Sequence, residues 1–136
     1  MKHWPAAIIS ILALLAMADS FYMTLAHYGL AGTSALEPSG ACPLTGPGCA
    51  AVVTSSRAEI FGIPHAVLGT GYFLLILLAG LWRLRTGSWF APSLMLAMLV
   101  AGVAWSAYLT YELLFVLRIP CAYCLAAHIL NALILF

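Results

Sequence analysis

Four long apolar segments constrain the fold of this chain more than any other feature. They cover about residues 5–28, 65–82, 91–117 and 120–136, separated by one long polar stretch and two short ones. A helix needs roughly 20 apolar residues to cross the hydrocarbon core of a bilayer, which is about 30 Å thick. Continuous apolar runs do not fit the alternating pattern of barrel strands. The sequence therefore predicts an all-α membrane protein, a four-transmembrane-helix bundle with a slightly short fourth span.

The composition supports a membrane environment. Hydrophobic residues make up 65% of the 136 residues and charged residues only 7%, whereas soluble domains contain about 25% charged residues. A soluble domain of this size exposes too much of its surface to hide so many apolar side chains. The formal net charge of +1 gives no indication of nucleic-acid binding. The length fits one domain over residues 1–136.

Basic residues give an orientation. Lys2 precedes the first span, and Arg83 and Arg85 lie in the predicted loop between the second and third spans. Arg57 and Arg118 lie on the opposite side. Because cytoplasmic loops are enriched in Lys and Arg, this distribution favours a cytoplasmic N-terminus. A competing interpretation is that the N-terminal segment is a signal peptide, since Lys2 and an apolar run precede a small-residue site.

The four cysteines form two pairs. Cys42 and Cys49 lie in a Gly/Pro-rich loop after the first span, and Cys121 and Cys124 form a Cys-x-x-Cys motif at the head of the fourth. With four spans, this loop and the turn before the fourth span lie on the same face of the membrane. In the favoured orientation of a bacterial inner-membrane protein, that face is the oxidising periplasm. The sequence therefore predicts a periplasmic cysteine loop near the Cys-x-x-Cys.

The Cys-x-x-Cys motif is predicted to be reactive. Cys121 and Cys124 share a face of the predicted helix, Pro120 suits its first turn, and a helix N-terminus favours a thiolate. His128 and Asn131 continue the same stripe, where polar side chains at bilayer depth need a partner or a ligand. The alternatives are simple packing for the cysteines and hydrogen bonds to a neighbouring helix for the other two residues.

The Cys42–Cys49 segment is rich in turn-forming residues, so it is predicted to close a disulfide and to move. A static structural disulfide is an alternative. A zinc site with four cysteines is another, but the spacing between Cys42 and Cys49 fits a zinc knuckle poorly. After this loop, residues 50–61 are predicted to form a short surface helix that covers the bundle, between the first and second spans.

Two acids lie within predicted spans, Asp19 and Glu112, and intramembrane acids are functional candidates by default. Either side chain is a candidate to relay a proton, and the alternatives are a helix-to-helix hydrogen bond or exposure at the interface. Among the aromatic residues, Tyr108 is the best candidate for a pocket wall, although interface residues of this kind also form aromatic belts.

Several segments together resemble the bacterial branch of the vitamin K epoxide reductase family. The resemblance covers residues 19 to about 128 and rests on the combination of motifs, since each motif alone is unspecific. The motifs are Asp-Ser-Phe-Tyr-Met-Thr at 19–24, the Cys42/Cys49 loop, Val-Val-Thr-Ser at 52–55, Ile-Phe-Gly-Ile-Pro at 60–64, Ser-Ala-Tyr-Leu-Thr at 106–110 and Cys-Ala-Tyr-Cys-Leu at 121–125.

The resemblance implies a four-helix bundle around a quinone, either ubiquinone or menaquinone. It implies that Cys42 and Cys49 shuttle electrons from a separate periplasmic thioredoxin-fold (DsbA-like) oxidoreductase to Cys121 and Cys124, beside the quinone. Ser55 matches a serine that supports the cysteine region. His128 stands where animal members have a quinone-contacting tyrosine, and Tyr108 and Asn131 are the further candidates for quinone contact. No fused thioredoxin-like domain is seen, so a stand-alone member is expected.

The expected function is therefore that of a thiol–disulfide:quinone oxidoreductase, with no metal. One alternative is a membrane enzyme whose main role is the reduction of a quinone or vitamin K epoxide. The other is a non-catalytic membrane protein in which the cysteines are structural disulfides.

Overall fold

Helices account for most of the structure. The computed structural model describes the backbone of residues 4–30 and 48–136, and the side chains of residues 4–30 and 51–136. Cys42 therefore lies outside the described residues, and only the backbone of Cys49 lies within them. The helices are α1 (Trp4–His27), α2 (Gly48–Val53), α3 (His65–Thr86), α4 (Pro92–Tyr111), which continues as a π-helical turn over Glu112–Val116, and α5 (Ala122–Leu135).

The four longest helices agree with the four predicted spans. Helix α1, helix α3, and α4 with its π-helical turn are each long and apolar enough to cross a membrane. Helix α5 is shorter: its 14 residues extend about 21 Å at 1.5 Å per residue, less than the bilayer core. The predicted all-α membrane bundle with a short fourth helix is thus confirmed.

The second span is longer than predicted. The sequence places Arg83 and Arg85 in a loop, but in the structure both lie in the last turn of α3, which ends at Thr86. The prediction was wrong because it ended the helix at Trp82, where the uninterrupted apolar run ends. Basic side chains stabilise the C-terminal end of a helix, and Gly87 caps it with a left-handed backbone at φ 75°.

Helix α1 is central in the bundle, because it packs against both α3 and α5, while α4 packs mainly against α5. Its buried face consists mostly of small residues at helical spacing, which allow neighbouring backbones to approach closely. These buried residues are Ala6, Ser10, Ala13, Ala16, Ser20, Met23 and Ala26.

Two glycines of α3 face serines of α1 at this close contact. A Cβ atom at Gly69 would lie 3.2 Å from the Ser20 Oγ, and one at Gly80 would collide with the Ser10 Oγ. The Ser10 hydroxyl donates a hydrogen bond of 2.8 Å to the Ala6 carbonyl. Because turning Ser10 away would break this bond, the glycine at position 80 sets how closely α1 and α3 approach.

We expect the Gly80→Ala variant to have a free energy of unfolding about 1–3 kcal/mol lower than that of Gly71→Ala, because the added methyl group overpacks the α1–α3 contact. Gly71 is the matched control: it lies in the same helix, and a Cβ atom there would meet nothing within 4 Å. Equilibrium unfolding of the two variants in the same detergent measures the difference. Equal stability would mean that the α1–α3 contact adapts without cost.

Residues 48–64, which we call the cap segment, join the first two spans. Helix α2 begins it, followed by a 3-10 turn at Ser56–Ala58 and by two short antiparallel strands, β1 (Glu59–Ile60) and β2 (Ile63–Pro64). The predicted short surface helix is present, but it ends at Val53 and not at Phe61. The reason is a tight turn: Phe61 and Gly62 both have positive φ, 51° and 77°, as two-residue hairpin turns require.

Polar contacts tie the cap segment to the bundle on two sides. From α1, His27 Nδ1 lies 2.8 Å from the Val53 carbonyl oxygen and His27 Nε2 lies 3.1 Å from Glu59 Oε1. From the end of α4, Glu112 Oε2 accepts a hydrogen bond of 2.7 Å from the Arg57 guanidinium. These contacts fix the cap segment across the end of the bundle at which α1 and α4 terminate.

Candidate active site

The Cys-x-x-Cys motif lies where α4 turns into α5. Cys121 has an extended backbone and is the N-cap of α5, whose first residue is Ala122. Its Sγ accepts a hydrogen bond of 3.5 Å from the Cys124 backbone N–H. Pro120 therefore precedes the cap and does not occupy the first helical turn, contrary to the prediction. The prediction was wrong because the Cys121 sulfur, and not a residue before it, caps the helix.

The two thiols differ in their surroundings. Both are free in this structure, with Cys121 fully buried and Cys124 partly exposed. The Cys124 backbone N–H donates to the Cys121 sulfur, and a hydrogen bond to the charged form of a thiol favours that form. The pair thus has the asymmetry that a reactive dithiol needs, with one sulfur stabilised as a thiolate by its neighbour.

Cys121 also touches the cap segment. It belongs to one apolar cluster with Met23, Val53 and Leu113. Val53 is the last residue of α2, the helix that contains Cys49. The backbone of Cys49 and the Cys-x-x-Cys motif therefore lie at the same end of the bundle, as the span count requires.

A cavity of about 670 Å³ lies inside the bundle beneath the cap segment. Ligand sites of drug-sized molecules fall between about 300 and 1,000 Å³ and are largely apolar, with a few polar groups. Cys124 lines this cavity, whereas Cys121 is not among its lining residues. Its other notable lining residues are Asp19, Met23, Val53, Ser55, His65, Tyr72, Trp105, Ser106, Tyr108, Glu112, His128 and Asn131.

All four candidate site residues other than the cysteines line this cavity, but three of them already have hydrogen-bond partners. Asn131 is buried, accepts a hydrogen bond of 2.9 Å from the Tyr72 hydroxyl and donates one of 2.9 Å to the Ser106 Oγ. Asn131 therefore links α3, α4 and α5. Hydrogen bonding to neighbouring helices is the alternative to ligand contact that the sequence analysis gave for this residue. The Ser55 hydroxyl donates to the Val52 carbonyl at 2.8 Å, so it stabilises the end of the helix that contains Cys49.

His128 and Tyr108 line the cavity from two different helices, α5 and α4. His128 follows Cys124 by one turn of α5 and lines the cavity with it. Tyr108 is half exposed, its hydroxyl donates to Glu112 Oε1 at 3.3 Å, and its ring lies 5.3 Å from that of Trp105. Of these two residues, only His128 lies in the same helix as Cys124.

Sequence reasoning missed several residues of this site. Tyr72 and Ser106 join the network around Asn131, and His65 lines the cavity from the first turn of α3. A polar residue within an apolar span was the available signal for Tyr72 and Ser106. His27 and Arg57 were missed as anchors of the cap segment, because their partners are distant in sequence.

The structure also bears on the zinc alternative. Within residues 4–30 and 51–136, no group of three or more His, Cys, Asp and Glu side chains is arranged to bind a metal ion. The side chains of Cys42 and Cys49 lie outside those ranges. The geometry of the described part is instead that of a dithiol beside an apolar cavity, an arrangement suited to electron transfer between sulfur and a bound organic molecule.

Comparison with known proteins agrees with this geometry. The profile of the vitamin K epoxide reductase family matches residues 7–136, nearly the whole chain, and the match includes the Cys-x-x-Cys motif and the residues that line the cavity. A search of curated protein sequences finds no significant match. The chain therefore belongs to the vitamin K epoxide reductase family, and it is a membrane oxidoreductase of the kind that acts on quinone or vitamin K.

Proposed function

We propose that this oxidoreductase takes electrons from the thiols of another protein, passes them to a quinone and thereby generates disulfides. One observation carries the proposal: Val53, in the helix that contains Cys49, belongs to the same buried cluster as Cys121, while Cys124 lines the cavity. The Cys-x-x-Cys motif thus has the cap segment on one side and the cavity on the other, which is the position of an intermediate carrier.

The first half of the cycle is thiol–disulfide exchange, in which a thiolate attacks a disulfide and a second thiol resolves the mixed disulfide. A thiolate of the partner attacks Cys42 of the Cys42–Cys49 disulfide, and the partner's second thiol completes its own disulfide. Cys49 then attacks Cys121 and releases Cys124. When Cys42 attacks Cys49, the outer disulfide forms again and Cys121 is released, so both electrons now reside on the Cys121/Cys124 dithiol.

The second half regenerates the Cys121–Cys124 disulfide. A quinone, when bound, supplies an acceptor for two electrons and two protons. Disulfide formation from two thiols releases the same number of each, so the exchange balances without a further reactant. Cys124 lines the cavity and is therefore the sulfur from which electrons leave, and His128 on the same helix is positioned to orient the acceptor by a hydrogen bond.

The cavity fits a quinone in size and chemistry. It is largely apolar, and two buried atoms that line it, Asp19 Oδ2 and His65 Nδ1, have no hydrogen-bond partner among the described residues. An unpaired buried polar atom costs about 1–3 kcal/mol. The two carbonyl oxygens of a quinone would relieve that cost by accepting hydrogen bonds from a protonated carboxyl and an imidazole N–H.

The proposed partner is a separate thioredoxin-fold protein of the bacterial periplasm. In this proposal the N-terminus is cytoplasmic in an inner membrane, and the cap segment and both cysteine pairs face the periplasm. Disulfides persist in that oxidising compartment. Ubiquinone and menaquinone are both suitable acceptors, because each offers the same ring carbonyl groups to the cavity.

Oxidation of a reduced thioredoxin-fold protein by the purified chain in lipid nanodiscs tests the proposal. With ubiquinone or menaquinone analogues in separate reactions, we expect one quinol for every disulfide formed in the partner. A parallel reaction contains a quinone epoxide as the acceptor. Faster turnover of the epoxide than of either quinone would favour epoxide reduction as the main role, and failure to oxidise the partner with any acceptor would contradict the proposal.

A further inference from the structure

Two acidic side chains lie within the apolar helices, and the structure gives them different surroundings. Both oxygens of Glu112 are engaged: Oε2 accepts from Arg57 at 2.7 Å and Oε1 accepts from the Tyr108 hydroxyl at 3.3 Å. Glu112 is therefore an anchor of the cap segment, although it borders the cavity.

The surroundings of Asp19 differ. It lies in α1 and lines the cavity, and its Oδ2 is buried without a hydrogen-bond partner among the described residues. A neutral carboxyl group is far cheaper than a carboxylate in such an apolar environment. The carboxyl of Asp19 can therefore hold a proton at Oδ2 and present it to the cavity.

The chemistry of the dithiol requires a proton carrier. Closing the Cys121–Cys124 disulfide releases two protons, and reducing a quinone to a quinol takes up two. Cys124 borders the cavity and can give its proton to the acceptor directly, but Cys121 is fully buried and is not among the lining residues. Met23, one turn along α1 from Asp19, packs in the same buried cluster as Cys121, so Asp19 lies on the helix beside Cys121 and also lines the cavity.

We infer that Asp19 is the proton carrier of this site: its carboxyl group accepts the proton released from Cys121 and delivers a proton to a quinone oxygen. The inference rests on the proposed function and names the group that couples sulfur oxidation to quinol formation. Two S–H bonds and one quinone give one S–S bond and two O–H bonds, with Asp19 restored to its protonated form after each cycle.

Infrared spectroscopy tests the protonation state without any quinone. Asp19 is the only aspartate in the chain, so protein produced with carboxyl-¹³C aspartate reports on this residue alone. We expect the carbonyl stretch of a protonated carboxyl group in the quinone-free protein, shifted by the label. A labelled band of an ionised carboxylate alone would overturn the inference, and because the test needs no substitution, it does not depend on a variant that folds.

Single-turnover kinetics test the role. After chemical reduction of the Cys121/Cys124 pair, we expect Asp19→Asn to form quinol about 10²–10⁴-fold more slowly, the range typical of general acid–base groups. The Asp19→Glu variant should recover part of this rate. Thr24→Val is the matched control, because it removes a polar group from the same helix without touching the cavity lining, and it should keep a rate within a few fold of the unaltered protein.

Binding and isotope measurements separate proton transfer from a structural role. We expect Asp19→Asn to bind a quinone analogue within a few fold of normal affinity and to show a larger solvent isotope effect on quinol formation. A normal rate in Asp19→Asn would overturn the inference while leaving the proposed function intact. If the unaltered protein formed no quinol, the proposed function would fail, and the labelled infrared band would still report whether Asp19 holds a proton.

Discussion

Replacing Cys124 by alanine is expected to slow electron transfer to quinone on the order of 1,000-fold or more, comparable with the loss of a nucleophile in other enzymes. Cys124 is the only one of the two Cys-x-x-Cys sulfurs that lines the cavity, so no other described thiol can pass electrons to an acceptor there. Without it, Cys121 also has no neighbour with which to close a disulfide.

The same variant should retain the first step with the partner protein, because that step uses Cys42 and Cys49. Stopped-flow measurement of partner oxidation over the first turnover, beside quinol formation, separates the two halves. The outer half-reaction is therefore an internal control for folding. Quinol formation at a normal rate in Cys124→Ala would show that the electrons leave by another sulfur, and loss of both halves would point to a folding defect.

A double variant, Cys42→Ala with Cys124→Ala, is expected to accumulate a disulfide between Cys49 and Cys121. These are the two cysteines that the proposed relay joins, and the substitutions remove both thiols that would resolve the bond. Val53, in the same short helix as Cys49, belongs to the same buried cluster as Cys121. A disulfide requires Cα atoms about 4.4–6.8 Å apart, so its formation measures whether the cap segment brings Cys49 within reach.

The matched control is Cys42→Ala with Cys121→Ala, which leaves Cys49 and Cys124. Because Cys121 is a buried member of the cluster that contains Val53, whereas Cys124 packs only at the edge of that cluster and lines the cavity, we expect at least about tenfold less cross-linking after mild oxidation, a difference equivalent to about 1.4 kcal/mol. Non-reducing electrophoresis followed by mass spectrometry of the linked peptides identifies the bond. Equal yields in the two double variants would contradict the assignment of Cys121 as the sulfur that Cys49 attacks.

The fold could be predicted from the sequence because lipid allows few alternatives. Four apolar runs of adequate length require four helices, and the limits of α1 and α5 differ from the predicted ones by one or two residues. The errors concern helix ends, whose positions hydrophobicity alone does not determine. Arg83 and Arg85 extend α3 because basic residues stabilise a helix end, and the helix of the cap segment stops at Val53 because a hairpin turn follows.

The site could be predicted only in part. The candidate residues Ser55, Tyr108, His128 and Asn131 all line one cavity, but spacing along a helix does not reveal which of them are already occupied. Asn131 is held by Tyr72 and Ser106, which come from two other helices. Such hydrogen bonds depend on how the helices rotate against each other, and periodicity does not report that rotation.

The sequence by itself determined that this protein is a membrane bundle with a Cys-x-x-Cys motif at the head of its last helix, because hydrophobicity and motif spacing are local properties of the chain. Only the tertiary structure distinguished the two intramembrane acids. It pairs Glu112 with Arg57, 55 residues away in sequence, and leaves Asp19 Oδ2 without a partner among the described residues, in the cavity that Cys124 lines. Whether an acidic side chain has a hydrogen-bond partner depends on the side chains that pack beside it, and those neighbours are set only when the helices assemble.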